Sequence, residues 1–248
     1  MFTIVTIIIM DCEEGCQFKP ETVLSYVKFE DILPNFEGHR VRIVYDSTLV
    51  KDLIVLQHIV PHFSERYPTY LVLYSEALYY KFVKRVTLLL KAKPELEKAV
   101  NELRIVKIGR KEDTRYGKLA WFVEQGDMEE EFESLLMFLT KLKEDVTLIL
   151  YGSVEYYLTG IGGGFKKVVD MFSVLPENMT LFGFRHRHNM KSPETALIGE
   201  LYDITVKVWK DDQAFDNTTF CFTVECQCSG NVKHGKMKLI DGLLYSVV

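Results

Sequence analysis

The sequence predicts a three-layer α/β domain: a mainly parallel central sheet with helices on both faces, finished by a C-terminal antiparallel β-meander. Three observations predict it. Short apolar runs alternate with stretches of helical periodicity as far as Leu201. The runs are rich in β-branched residues, as strands buried on both faces are. Beyond Leu201 apolar and polar residues alternate, with turn signals between the runs.

Met1 to Met10 favours an extended strand through its β-branched residues. It falls short of the roughly 20 residues a bilayer span needs, and no basic segment precedes it as in a signal peptide. Residues 1–22 are therefore set apart as an N-terminal extension or edge strand, and 23–248 as one domain. Val23 to Leu33 reads as a helix and Pro34 to Gly38 as a turn. Arg40 to Tyr45 is the first strand. Leu49 to Phe63 has helical spacing, with Pro61 announcing its end. Thr69 to Tyr74 is a second buried strand, followed by helices over Leu78 to Leu90 and Pro94 to Leu103. Arg104 to Gly109 is the third strand and Lys111 to Gly117 a charged loop. Asp127 to Leu142 is a helix whose acidic first turn suits the helix dipole. Val146 to Tyr151 is the most apolar strand, and Glu155 to Gly164 a glycine-rich connection. Phe165 to Leu175 is a helix and Met179 to Phe184 a strand. Ser192 and Pro193 open another helix as cap and first residue. The meander runs through Asp203 to Trp209, Thr219 to Glu225, Lys236 to Ile240 and Leu243 to Val248, turning at Asp211-Asp212, Ser229 to Asn231 and Asp241-Gly242.

A net charge of −5 argues against bulk attraction to nucleic acid or an anionic membrane. The cysteines are Cys12, Cys16, Cys221, Cys226 and Cys228, an odd number, which suits reduced thiols in a cytoplasmic protein. Their spacing lacks the repeated C-x-x-C of a zinc ribbon. His58 and His62 stand four apart, but no Glu adjoins His58 as in H-E-x-x-H and Pro61 intervenes. No metal is assigned, and the absence of G-x-S-x-G leaves α/β-hydrolase chemistry unsupported.

Four segments, in this order, resemble the RecA/KaiC superfamily of ATPase cores: Asp31 to Val44, Leu71 to Glu76, Ile198 to Trp209 and Lys238 to Tyr245. They look like the lead-in to the family's first strand, its second strand with a terminal acid, its late helix-to-strand passage and its closing hairpin. The chain is similar in this respect to a group of proteins from hyperthermophilic archaea. The resemblance implies a RecA-like fold and a homo-oligomer. It covers roughly Val27 to Val248.

The family's ATP chemistry is not matched. A P-loop needs G-x-x-x-x-G-K-S/T, whose glycines let backbone amides wrap phosphates while Lys and hydroxyl meet phosphate and magnesium. Here Tyr45-Asp46-Ser47-Thr48-Leu49-Val50-Lys51-Asp52 stands in that place, and Lys51 alone fits. Asp52 replaces the hydroxyl, and Asp46 and Asp52 add charge that repels a triphosphate. Tyr151 and Gly152 stand where the family's magnesium-steadying Asp closes a strand. Glu225-Cys226-Gln227-Cys228 replaces the KaiC branch's Lys-x-Arg. Glu76 keeps the position of the water-activating carboxylate, as a site remnant or a plain strand-end acid. Lys51 itself is expected to be a solvated helix residue. Lys51, Asp52, Glu76 and Gly152 are thus positions of a vestigial nucleotide site.

Arg185-His186-Arg187-His188 follows a strand at the sheet edge where α/β folds bind ligands. A solvated loop is expected, with phosphate or an acidic partner as the functional alternative; strand alternation lets only half of the four side chains converge. Gly160 to Gly164 reads as a mobile loop. Tyr79, Tyr80, Tyr156 and Tyr157 mark an interface or a core edge. The reading is a cytoplasmic, non-catalytic RecA/KaiC-like interaction module with no cofactor and an unidentified protein partner. The alternative is a nucleotide- or phosphate-binding enzyme with a site rebuilt around Glu76, Lys51 and Arg185 to His188.

Overall fold

The computed structural model describes residues 26–143, 145–152, 162–189, 193–227 and 229–247. Ten strands form one sheet: β1 (Arg40–Tyr45), β2 (Thr69–Leu73), β3 (Arg104–Gly109), β4 (Lys118–Glu124), β5 (Thr147–Leu150), β6 (Thr180–His186), β7 (Ile204–Lys210), β8 (Thr219–Cys226), β9 (Val232–Ile240) and β10 (Leu243–Val247). Their spatial order is β10-β9-β8-β7-β1-β6-β5-β2-β3-β4. From β4 to β7 every pairing is parallel, and β7 to β10 are antiparallel. The expected parallel sheet with a terminal meander is therefore present.

Helices cover both faces. On one lie α1 (Phe29–Ile32), α2 (Thr48–Leu53) continuing through a π-helical segment (Ile54–Ile59) into α3 (Val60–Ser64), then α4 (Glu76–Ala92) and α5 (Glu97–Glu102). On the other lie α6 (Met128–Leu139), α7 (Gly164–Val174) and α8 (Pro193–Gly199). Alternation along each parallel strand feeds both layers. Val41 and Ile43 of β1, Leu71 and Leu73 of β2, and Phe182 and Phe184 of β6 enter the first core. Val72, Leu148, Leu150 and Leu181 enter the second.

Four boundaries differ from the sequence reading. The first helix begins at Phe29, because Tyr26 pairs with His234 of β9 and Val27 donates to the His234 carbonyl. Pro61 does not end its helix. Val60 donates to the carbonyl five residues back, Val55, and this wider turn accommodates a proline ring that would crowd the preceding turn of a regular α-helix. Strand β4 was not anticipated; it is a mostly exposed edge strand with a register shift near Ile105, so its burial signal is weak. Strand β9 starts at Val232 rather than Lys236.

The last hairpin turns on Asp241 and Gly242, both at positive φ, as a two-residue hairpin turn requires. Strand β10 ends the sheet, yet the outward backbone groups of Leu244 are satisfied. The buried Gln57 amide accepts from Leu244 N at 3.0 Å and donates to the Leu244 carbonyl, standing in for a neighbouring strand.

Candidate functional site

The order of strands reverses around β1, which lies between β6 and β7, so a crevice outside the carboxyl end of β1 is where such folds take ligands. Only Asp46 and Ser47 separate β1 from α2. Ser47 is extended and caps the helix: its Oγ accepts from Val50 N at 3.4 Å, and Lys51 N donates to its carbonyl. Among the described residues Asp241 is the one non-glycine at positive φ, so this turn has no left-handed residue to curl amides into an anion nest. Asp46 is also occupied. Its Oδ2 accepts from Lys210 N at 2.8 Å.

Lys51 departs from expectation. It is 2% exposed and Asp52 is wholly buried. The Lys51 Nζ stands 2.8 Å from Asp52 Oδ1, donates to the Tyr151 carbonyl at 3.2 Å, and lies 3.6 Å from the centre of the Tyr151 ring. The Tyr151 hydroxyl donates to Asp52 Oδ1 at 2.7 Å, and Arg85 Nε of α4 approaches Oδ2 at 3.4 Å. Burial pulls the Lys51 amine down to about 8, against the opposing pull of Asp52. Burial, reinforced by Asp52, raises the Tyr151 hydroxyl well above its usual range. Lys51, Asp52 and Tyr151 therefore converge on one another. Asp52 does not face outward to repel a ligand; it receives three donors.

Glu76 is not a free strand-end acid. It is the first residue of α4, behind the Ser75 cap. Its Oε1 lies 3.3 Å from Lys107 Nζ and its Oε2 accepts from Arg110 N at 2.8 Å. Lys107 is fully buried, over the Tyr79 ring at 3.9 Å, and donates to the Asp113 carbonyl at 3.1 Å. The Tyr79 hydroxyl accepts from Arg115 N at 2.6 Å. Together these bonds clamp the β3–β4 loop onto the first turn of α4. Gly109 permits it, since a Cβ there would run into Glu76 Oε2. Sequence reasoning missed Lys107, although a lysine inside the apolar run Arg104 to Gly109 signals a buried partner.

Gly152 follows β5 and makes room for Tyr74; a Cβ would meet that ring at 2.6 Å. Arg185 and His186 belong to β6 rather than to a loop, and Arg185 is buried. Arg187 and His188 form the exposed turn beyond it. His186 Nδ1 accepts from His188 N at 3.3 Å, which leaves Nε2 as the donor to the Asp46 carbonyl at 3.1 Å. The His186 and His188 rings lie 5.2 Å apart, so convergence is limited to part of the cluster. Tyr79 is buried and Tyr80 exposed; Tyr156, Tyr157, Gly160, Cys12, Cys16 and Cys228 lie outside the described residues.

His58 and His62 face different acids: His58 Nδ1 is 3.2 Å from Glu30, and His62 Nε2 is 3.6 Å from Glu37. Among the described residues no group of three His, Cys, Asp or Glu side chains could hold a metal. No described helix is long and apolar enough to cross a membrane.

The strand order and terminal meander define a RecA/KaiC-like core. No family profile matches the chain, and no curated protein sequence does. Solved structures do. A KaiC-like protein from the hyperthermophilic archaeon Pyrococcus horikoshii OT3 is similar at a TM-score of 0.57 and 9% identity, over 86% of this chain and 91% of that one. A solved ATPase domain gives a TM-score of 0.54 at 9% identity, covering 86% of each chain. A DnaB-like replicative helicase gives 0.51 at 9% identity, over 84% of this chain and 58% of the helicase.

Proposed function

We propose that this chain is a RecA/KaiC-like interaction module that does not hydrolyse ATP. The observation that carries the reading is the enclosure of Lys51. Its amine is spent on Asp52 and Tyr151, 2.8 and 3.2 Å away, at the position where the resemblance calls for a phosphate-binding lysine. Releasing it toward a ligand would strand Asp52 in the core with its strongest partner gone. Glu76 is paired in the same way, each of its carboxylate oxygens already holding a donor, from Lys107 and from Arg110 N. Lys51, Asp52, Glu76 and Gly152 are then structural descendants of a nucleotide site. The domain is one RecA-like unit over residues 23–248, and its work is association with protein, including copies of itself.

The rival reading, a phosphate-binding enzyme with a rebuilt site, draws on Arg187 and His188, which remain exposed at the carboxyl edge of the sheet. Thermal unfolding with ATP or ADP and magnesium separates the two. A ligand at one hundred times its dissociation constant stabilises by about 2.7 kcal/mol, which for a chain this size is about 5–11 °C in Tm. No shift is expected. A shift abolished by Lys51→Met would overturn the module reading; one abolished by Arg187→Ala instead would establish the rebuilt site.

A further inference from the structure

Residues 76–118 carry twelve Lys and Arg against six Asp and Glu, in a chain whose net charge is −5. Part of the excess gathers on the outer face of α4. Ala77, Tyr80, Lys81, Lys84, Leu88 and Lys91 recur there at helical spacing and are all exposed, Tyr80 by 59% and Leu88 by 51%. Glu76, the one acid of this helix, is buried against Lys107. Lys81, Lys84 and Lys91 have no carboxylate partner among the described residues. The exposed acids nearby stand at the ends of the helix. Glu112 and Asp113 lie in the β3–β4 loop with Arg110, Lys111 and Arg115, and Asp113 pairs with Lys107 at 3.6 Å. Glu95 and Glu97 follow the last turn, interleaved with Lys93 and Lys98. Between those ends the face is an apolar stripe flanked by cations.

The chain also carries a segment of matching chemistry. Eight of residues 1–10 are apolar, and Asp11, Glu13 and Glu14 follow them directly. Lys19 is the one basic side chain of residues 1–25. The described chain begins near the C-terminal end of α4. Tyr26 pairs with His234 of β9, and Tyr245 of β10 pairs with Lys238, four residues further along β9, a separation of about 13 Å. Lys93 Nζ, just beyond α4, stands 5.3 Å from the centre of the Tyr245 ring. Residues 15–25 span up to about 36 Å when extended, enough to bring Glu13 and Glu14 to Lys91 and Lys84. Residues 1–10 then have the length to run on over Leu88 and Tyr80, which lie about 12 Å apart along the helix.

We propose that residues 1–14 dock in cis on the outer face of α4, with Asp11, Glu13 and Glu14 facing Lys84 and Lys91 and the apolar residues covering Leu88 and Tyr80. Such docking covers one surface of the interaction module and is independent of the state of Lys51. Opposite charges set the register, and the lysine stems lengthen the apolar stripe while their ammonium groups meet the acids. Exposed ion pairs are individually weak. Tethering makes their sum sufficient, because a short linker holds the segment at an effective concentration in the millimolar range. A partner that uses this face must first displace the segment.

Carbodiimide cross-linking of the full chain, read by mass spectrometry of the 28.8 kDa band, tests it. Carbodiimide joins carboxylates and amines that are in contact. Wild type is expected to link Glu13 or Glu14 to Lys84 or Lys91. Ile7→Asp with Ile8→Asp leaves those acids in place and should lower the yield at least tenfold. Tyr80→Asp with Leu88→Asp should do the same at unchanged Tm, both side chains being exposed. Glu13→Lys with Glu14→Lys should abolish the links, and adding Lys84→Glu with Lys91→Glu should restore them. Links confined to other lysines, links that join two chains, a charge reversal that restores nothing, or a yield indifferent to loss of the apolar residues would overturn the proposal.

Discussion

Replacing Asp52 by Ala is the sharpest test of the buried network. The substitution removes the acceptor for Lys51 Nζ at 2.8 Å, the Tyr151 hydroxyl at 2.7 Å and Arg85 Nε at 3.4 Å. It leaves an ammonium group 2% exposed with a carbonyl and an aromatic face as its remaining company. Removing one partner of a buried pair costs about 3–5 kcal/mol, because the other charge stays desolvated. For a domain of this size each kcal/mol moves Tm by about 2–4 °C, so a fall of about 6–20 °C is expected. Replacing both partners, as in Lys51→Met with Asp52→Leu, removes both charges from the core and should return most of that loss. The double-mutant cycle, read from urea midpoints at constant slope, should therefore be strongly non-additive. Asp52→Ala within 1 kcal/mol of wild type, or additive losses in the cycle, would refute the claim that the two residues form one electrostatic unit.

Three further outcomes follow from the same geometry. The Lys51 amine is lowered to about 8 from 10.5 in the fold, so between those values the unfolded chain binds more protons and stability contributed at this site rises with pH; wild type should therefore gain on Lys51→Met as pH goes from 8 to 10, and a constant difference in unfolding free energy would contradict the burial. Gln57→Leu strands the Leu244 N–H and carbonyl on the last strand and should cost about 1–3 kcal/mol per group left unsatisfied, seen as faster amide exchange along β10. The Glu30 carboxyl is held down to about 2 by its hydrogen bond from His58, so its stabilisation is present above its ordinary value of 4.5 and lost as pH falls toward 2; Glu30→Gln should flatten acid unfolding across that window.

Much of the fold is legible in the sequence because its signals are local. The apolar runs at Arg40 to Tyr45, Thr69 to Tyr74 and Val146 to Tyr151 became β1, β2 and β5 within a residue or two. The Asp241-Gly242 pair marks its hairpin through backbone sterics alone. The exposed edge strand β4 carries no such signal, and Pro61 misleads because its helix widens to accept it. At the candidate site, residue types were readable but their orientation was not. The absence of glycine from Tyr45 to Asp52 and the acid at Asp52 tell against a glycine-built phosphate loop there. Whether Lys51 reached into solvent or into the core depended on Tyr151, one hundred residues away, and on Arg85 of another helix.

By itself, then, the sequence determined most of the order and type of the elements, the parallel sheet with its terminal meander, and the absence of glycine from Tyr45 to Asp52. These follow from side-chain periodicity and from which residues can adopt left-handed backbone. Tertiary structure alone decided that Lys51, Asp52 and Tyr151 close on each other, that Glu76 is paired with Lys107, and that Phe215 is left standing in solvent. Such pairings join groups far apart in the chain, and their energies come from burial and distance, which no local pattern records.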